Sequence, residues 1–250
     1  MNHRKLVIVP TFNELENISD MILKVMNLDG DFELLIIDDG SPDGTANVVK
    51  TLQKEFPTRL FLIERAEKLG LGTAYITGFE WALNKGYEYI FEMDADFSHN
   101  PEDLIRLYEA CAIQGYDLAI GSRYITGVNV VNWPIGRVLM SYFASVYVKF
   151  ITGLPVKDAT AGFKCYHQSV LRGIKLREIK FIGYAFQIEM KFTAWKLGFK
   201  IIEVPIIFTD RTKGTSKMSR GIFKEAVLGV IWMKIKSLFS PYRLNQSESI

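Results

Sequence analysis

Runs of consecutive apolar residues recur along the first half of the chain, at 6–9 (LVIV), 34–37 (LLII), 60–63 (LFLI), 89–93 (YIFEM) and 117–121 (DLAIG). Between them the apolar positions return every three or four residues: Ile18, Met21, Ile22, Val25 and Met26 after the first run, Val48, Val49, Leu52 and Phe56 after the second. A continuous apolar run suits a strand buried on both faces, and the longer spacing puts one stripe of a helix on a core. The alternation predicts βαβ units, and so an α/β fold with a mostly parallel, Rossmann-like sheet flanked by helices. Ligands of such sheets bind at the carboxyl ends of the strands. After residue 121 the pattern lengthens into amphipathic helices over 134–152, 184–197 and 219–239, with a strand near 200–208.

With 250 residues and 48% hydrophobic content, the chain is long enough for one globular domain, expected over 1–243, with a polar tail at 244–250 expected to be disordered. The net charge of +2 conceals a division. Residues 1–121 carry 10 Lys and Arg against 21 Asp and Glu, and residues 122–250 carry 20 against 7. An acidic half suits a cation and a basic half suits phosphates or an anionic membrane, so the halves are read as a nucleotide- and metal-binding part (1–121) and an acceptor-binding, membrane-facing part (122–243). No nucleic-acid recognition motif accompanies the basic half, which argues against that partner. Cys111 and Cys165 form no CxxC pair, no secretory signal precedes the first strand-like run, and His3, His99 and His167 are scattered, so a reduced cytoplasmic compartment is expected and a zinc site is not.

The strand ends carry the candidate chemistry. The first runs into Pro10-Thr11-Phe12-Asn13-Glu14 and the second into Asp38-Asp39-Gly40-Ser41-Pro42-Asp43-Gly44-Thr45. A turn and helix start account for Pro42 through Thr45 but do not require adjacent carboxylates, which could accept hydrogen bonds from a base or ribose. A dehydrogenase would show GxGxxG after the first strand, where PTFNE stands instead. The fourth strand runs into Asp94-Ala95-Asp96. In extended backbone these two carboxylates project to one side, and hard oxygens at that spacing suit Mg²⁺ or Mn²⁺ shared with a diphosphate. Asn100 to Asp103 read as a helix start instead.

In the basic half, the helix over 134–152 repeats Arg137, Ser141, Ser145 and Lys149 at four-residue spacing, while Val138, Leu139, Tyr142, Phe143, Val146, Tyr147, Phe150 and Ile151 make its other faces apolar. Aromatic and basic residues without an acid between 134 and 157 predict an amphipathic helix lying in a membrane interface. The uncharged run 138–148 falls far short of the roughly 20 residues needed to span. The final helix, with Ile222, Phe223, Val227, Val230, Ile231 and Leu238 among Lys224, Lys234 and Lys236, reads the same way. Between them, Arg211-Thr212-Lys213-Gly214-Thr215-Ser216-Lys217 has the cations and small residues of a lid closing over diphosphate.

PTFNE, DDGSPDGT, LGLGTAY, MDADFSHNPEDL, GSRY, DATAGF and RTKGTSKMS follow one another with the spacing of the family 2 glycosyltransferases of GT-A fold, and the set resembles their dolichyl- or polyprenyl-phosphate mannosyltransferase branch. The resemblance implies inverting transfer of mannose from GDP-mannose to a dolichyl or polyprenyl phosphate. Glucose from UDP-glucose, and an inactive nucleotide-sugar-binding scaffold, are the alternatives. It implies that Pro10, Phe12, Glu14 and Asp38 line the nucleoside pocket, with Asp39, Asp94, Ala95, Asp96, Arg211 and Lys217 completing the donor site. Asp94, Asp96 and Ser98 would hold the metal, Ser98 standing where some relatives have Gln. Arg123, Arg137 and Ser141 would hold the acceptor phosphate, and Asp96, Arg123, Arg211 and Lys217 would act in catalysis. An acceptor phosphate with a second pKa of about 6 is already anionic at neutral pH, so the transfer needs no base. The expected location is the cytoplasmic face of a membrane, bound peripherally, with room for a separate membrane-anchoring subunit.

Overall fold

The computed structural model describes residues 3–211, 221–239 and 242–245, with side chains from 227 onward in the second stretch. Strands β1 (Lys5–Thr11), β2 (Phe32–Asp38), β3 (Leu60–Glu64), β4 (Tyr89–Glu92), β5 (Leu118–Ser122), β7 (Lys164–His167) and β8 (Ile201–Pro205) form one sheet in the order β3-β2-β1-β4-β7-β5-β8. Helices α1 (Leu15–Met26), α2 (Thr45–Leu52) and α4 (Asp103–Ala112) contribute to the core on one side of it. Helix α3 (Leu71–Asn84), α6 (Gln168–Gly173) and α7 (Tyr184–Lys196) contribute to the core on the other. Val7, Val9, Leu34 and Ile36 enter the first core and Leu6, Ile8, Leu35 and Ile37 the second, as successive strand residues must when both faces are covered.

Every pairing in this sheet is parallel except those of β7, which runs antiparallel between β4 and β5. The apolar pattern does not announce β7, because KCYH begins and ends on polar residues. Its direction matters for the site. An antiparallel strand enters where its parallel neighbours leave, so β7 brings the segment 158–163 to the edge where Thr11, Asp38, Glu92 and Ser122 end their strands.

Helix α5 (Ile135–Thr152) follows the short strand β6 (Val130–Val131), which pairs with β9 (Phe208–Thr209). It turns Ser145, Val148 and Thr152 inward and leaves Leu139, Met140, Phe143, Val146 and Phe150 exposed, Phe150 at 85%. The apolar face is thus the outer one. Helix α8 (Gly221–Phe239) packs beside α5, with the Tyr147 hydroxyl donating to the Val227 carbonyl at 2.9 Å, and it too exposes Leu228, Ile235, Leu238 and Phe239. Among the described residues no helix is long and apolar enough to cross a membrane. Of the tail expected to be disordered, Asn245 is tied down: its amide donates to the Gly173 carbonyl at 3.0 Å. Residues 246–250 lie outside the described residues.

Candidate functional site

The strand ends open on a cleft of about 400 Å³ that Pro10, Phe12, Glu14, Asp39, Asp94, Ala95, Asp96, Ser98, Arg123, Arg137 and Arg211 all line. A larger hollow, about 560 Å³, lies at the opposite end of α3, where Lys175 pairs with Glu178 at 3.2 Å and Arg177 with Glu80 at 3.0 Å.

On the nucleotide side two loops are sewn together. Asp38 is buried and accepts from the Thr11 hydroxyl at 2.9 Å, the Ser41 hydroxyl at 2.6 Å and the Ser41 amide at 2.8 Å. Asp43 accepts from the Leu15 amide and from the Thr45 hydroxyl and amide, and these hydrogen bonds outweigh its burial to hold it below the usual carboxylate range. Asp38 therefore braces the loops beneath the cleft and does not line it. Asp39 does line it, held by Arg65 through Nε at 2.7 Å and Nη2 at 2.8 Å. Facing them, Lys68 lies 5.0 Å from the centre of the Phe12 ring.

At the end of β4, Asp96 is buried, accepts from the Ser98 amide at 3.1 Å and pairs with Arg211 at 2.7 Å. Phe97 takes φ 59°, a left-handed conformation costly for a bulky residue, which folds the backbone so that Ser98 and His99 return to the cleft. Burial between the cleft walls, then the like charges of Asp96 and Glu92, push Asp94 up to about 7. The Asp94 side chain stays 41% open to the cleft, and a cation there would relieve the repulsion from Asp96 and Glu92. His99, which the sequence left without a role, stacks on Phe163 and accepts from the Asp94 amide at 3.3 Å through Nδ1. Burial pushes it down to about 4, so it is neutral at pH 7. Among the described residues no group of three His, Cys, Asp or Glu has metal-holding geometry. The pair Asp94 and Asp96 fits an ion that takes few protein oxygens and completes its shell with phosphate and water.

Across the cleft Arg123 is buried and doubly bound: Nε donates to Asp158 at 2.7 Å, and Nη2 to Asp158 at 2.6 Å and Thr160 at 2.8 Å. Burial alone would lower the arginine and raise the aspartate, but their mutual attraction carries both the other way. Arg137 pairs with Asp210 at 2.8 Å. Ser141 does not line the cleft, and its hydroxyl is buried without a hydrogen-bond partner. Lys217 and the rest of the expected lid, 212–217, lie outside the described residues.

Under the floor, Glu92 on β4 accepts from Lys164 at 2.9 Å, the Tyr166 hydroxyl at 2.8 Å and the Gln187 Nε2 at 2.8 Å, while Lys164 also donates to the Gln187 carbonyl oxygen. A carboxylate only accepts and an ammonium only donates, so the amide of Gln187, which lines the cleft, has one possible orientation. Asp158, Thr160, Lys164 and Gln187 were not assigned from sequence. The signals present were the run DATAGF for the first two and, for the others, a Glu within the otherwise apolar β4.

A family model for glycosyl transferase family 2 matches residues 6–175. The chain belongs to that family. It is 44% identical over 227 residues to the polyprenol monophosphomannose synthase of Mycolicibacterium smegmatis, covering 91% of this chain and 85% of that one. It is equally 44% identical over 227 residues to the undecaprenyl-phosphate mannosyltransferase of Micrococcus luteus, covering 91% and 92%. Among solved structures, glucosyl-3-phosphoglycerate synthase from Mycobacterium tuberculosis, in complex with Mn²⁺, UDP and glucosyl-3-phosphoglycerate, superposes with a TM-score of 0.63 at 18% identity, over 98% of this chain and 82% of that one. A mannosyltransferase from Pyrobaculum calidifontis, in complex with GDP-Man and Mn²⁺, does so at 0.58 and 16%, over 93% and 70%. These two likenesses establish the GT-A fold. The chain is thus a glycosyltransferase in fold and family, as its motifs led one to expect.

Proposed function

We propose that this glycosyltransferase moves mannose from GDP-mannose to a dolichyl or polyprenyl phosphate, with inversion and with Mg²⁺ or Mn²⁺ at Asp94 and Asp96. One observation carries the reading: a carboxylate pair and the arginines Arg123 and Arg137 line a single cleft, beside a helix whose apolar side faces out. Both relatives named above transfer mannose to a lipid phosphate by their names, and the match covers nearly all of this chain.

In this reading Phe12 and Asp39 take the nucleoside, and the cation, when bound, offsets the charge gathering on the departing diphosphate. Ser98, buried beside Asp96, is the third proposed metal group. Arg211 occupies one oxygen of Asp96 in the structure and would move to the diphosphate, with Lys217 as the other proposed cation there. Arg123, held rigid by Asp158 with its Nη1 left over, and Arg137 bind the acceptor phosphate by charge-assisted hydrogen bonds. The phosphate oxygen attacks the anomeric carbon directly. The neutral His99 has too low a pKa to be a useful base, and none is required. The apolar faces of α5 and α8 lie on the membrane, the lipid leaving along α5, and the protein works peripherally at the cytoplasmic face.

Purified protein with Mg²⁺, a short polyprenyl phosphate and either GDP-mannose or UDP-glucose tests this by mass spectrometry. Mannosylated lipid phosphate from GDP-mannose, lost on chelation of the metal, is the expected result. Product from UDP-glucose alone overturns the sugar, and no product from either donor overturns the acceptor.

A further inference from the structure

Trp133 sits between Asn132, which takes φ 63°, and Pro134, which starts α5. A left-handed residue on one side and a proline on the other fix where the indole goes. It lines the cleft, with the guanidinium carbon of Arg137 4.2 Å and that of Arg123 5.4 Å from its ring centre, and it meets Phe208 edge-on at 5.1 Å.

Its Nε1 is buried and has no hydrogen-bond partner. An indole N–H can only donate, and leaving it buried and unmet is costly. Its cationic neighbours cannot help, because a guanidinium has no acceptor. The carboxylates nearby, Asp158 and Asp210, are engaged by Arg123 and Arg137 and do not reach it. The hydroxyls of Tyr124 and Ser141, which do not line the cleft, are also buried without a hydrogen-bond partner. A phosphate monoester supplies several acceptor oxygens and about two negative charges, enough to answer two arginines and an indole together.

We infer that Trp133 is an acceptor-binding residue whose Nε1–H donates to an oxygen of the acceptor phosphate while its ring holds Arg123 and Arg137 in place. The inference rests on the proposed lipid-phosphate acceptor. The incoming anion takes Arg137 from Asp210, and that exchange of partners, with the guanidinium still against the ring, opens Nε1 to the phosphate.

The test uses Trp133→Phe, which keeps an aromatic ring beside both arginines and removes the N–H with the five-membered ring that carries it. Citronellyl phosphate, a short water-soluble prenyl phosphate, is the probe, read by calorimetry and by the indole ¹⁵N–¹H resonance that vanishes in the variant. In the wild type that resonance should move downfield on titration. The variant should bind the probe roughly tenfold to a hundredfold more weakly, the range for a hydrogen bond to a charged group, with GDP affinity unchanged. A motionless resonance, equal probe affinity in the two proteins, or no binding to wild type overturns the inference. If the probe binds and Trp133 responds while no sugar is transferred to any prenyl phosphate, the proposed reaction falls and the phosphate contact stands.

Discussion

Asp38 at the end of β2 and Arg123 just past the end of β5 are both buried at the same sheet edge, and both have their hydrogen bonds met, by different means. Asp38 is met by hydroxyls and one amide from Thr11 and Ser41, neutral groups on the two loops that it ties together. Arg123 is met chiefly by a second charge, Asp158, which also accepts from the Arg123 amide at 2.9 Å and is itself steadied where Glu203 accepts from the Asp158 amide. Neutral donors spread the cost of a buried charge over several bonds. A single counter-ion concentrates it, because losing either partner strands the other. On the donor side the loops are finished without a ligand. On the acceptor side Trp133, Tyr124 and Ser141 keep polar atoms unmet.

The largest effect expected from breaking this comparison is on the donor side, at a carboxylate that is not merely bracing. Asp96→Ala should lower turnover roughly a thousandfold, the order found when a site loses a principal electrostatic group, while far-UV circular dichroism and the melting temperature stay near wild type. Turnover within tenfold of wild type would remove Asp96 from the metal site. The same substitution removes the Asp96–Arg211 ion pair, so it also measures whether that pair is needed for folding.

On the acceptor side Asp158→Asn should cost about 3 kcal/mol in urea unfolding, since it leaves a buried guanidinium without its counter-ion. Its pH dependence has a definite sign. The folded-state pKa of Asp158 lies below its ordinary value, so its stabilisation is complete above about pH 4, near the unfolded pKa. It is lost as pH falls through the lower folded value. The gap between wild type and variant should therefore be flat from pH 7 to about 5 and close at lower pH. A gap that widens on acidification would mean that Asp158 is not the charge holding Arg123.

Lys164→Met should cost a similar amount or slightly less, about 2–3 kcal/mol, by stranding Glu92, and the double variant Lys164→Met with Glu92→Gln should recover most of it. Stability that is lost in the single variant but returns in the double, without activity returning, would locate the value of this pair in aiming Gln187. Full recovery of both would make the pair dispensable to the reaction.

Legibility follows the same division. The parallel strands, the helices between them and the loops at 10–14, 38–45 and 94–98 could be read because burial on two faces and hard-oxygen spacing leave a local pattern. Strand β7 left none: four residues with Lys164 at one end and His167 at the other look like a loop until Glu92 is seen opposite. Asp38 was read as a nucleoside contact because sequence shows a carboxylate at a strand end but not that Thr11 and Ser41 already occupy it. Arg123 and Arg137 were legible, whereas the partners that hold them, Asp158 and Asp210, are 35 and 73 residues away and could be paired only in three dimensions.

The smallest effect on stability, and the sharpest on location, is expected on α5. Phe143 and Phe150 are 60% and 85% exposed, so replacing both with Ser should change unfolding free energy by less than about 0.5 kcal/mol each, as for other surface positions. If their rings enter a bilayer, the same change removes apolar area worth roughly 1–2 kcal/mol per ring from membrane binding, or about thirtyfold to a thousandfold in partitioning for the pair. Co-sedimentation with vesicles containing anionic lipid should fall accordingly, and turnover of a long polyprenyl phosphate in those vesicles should fall with it. Turnover of a short soluble prenyl phosphate should be unchanged. Unchanged sedimentation would assign the outer face of α5 to another partner, while a loss of turnover on both substrates would mean that these rings shape the phosphate site as well as reach the membrane.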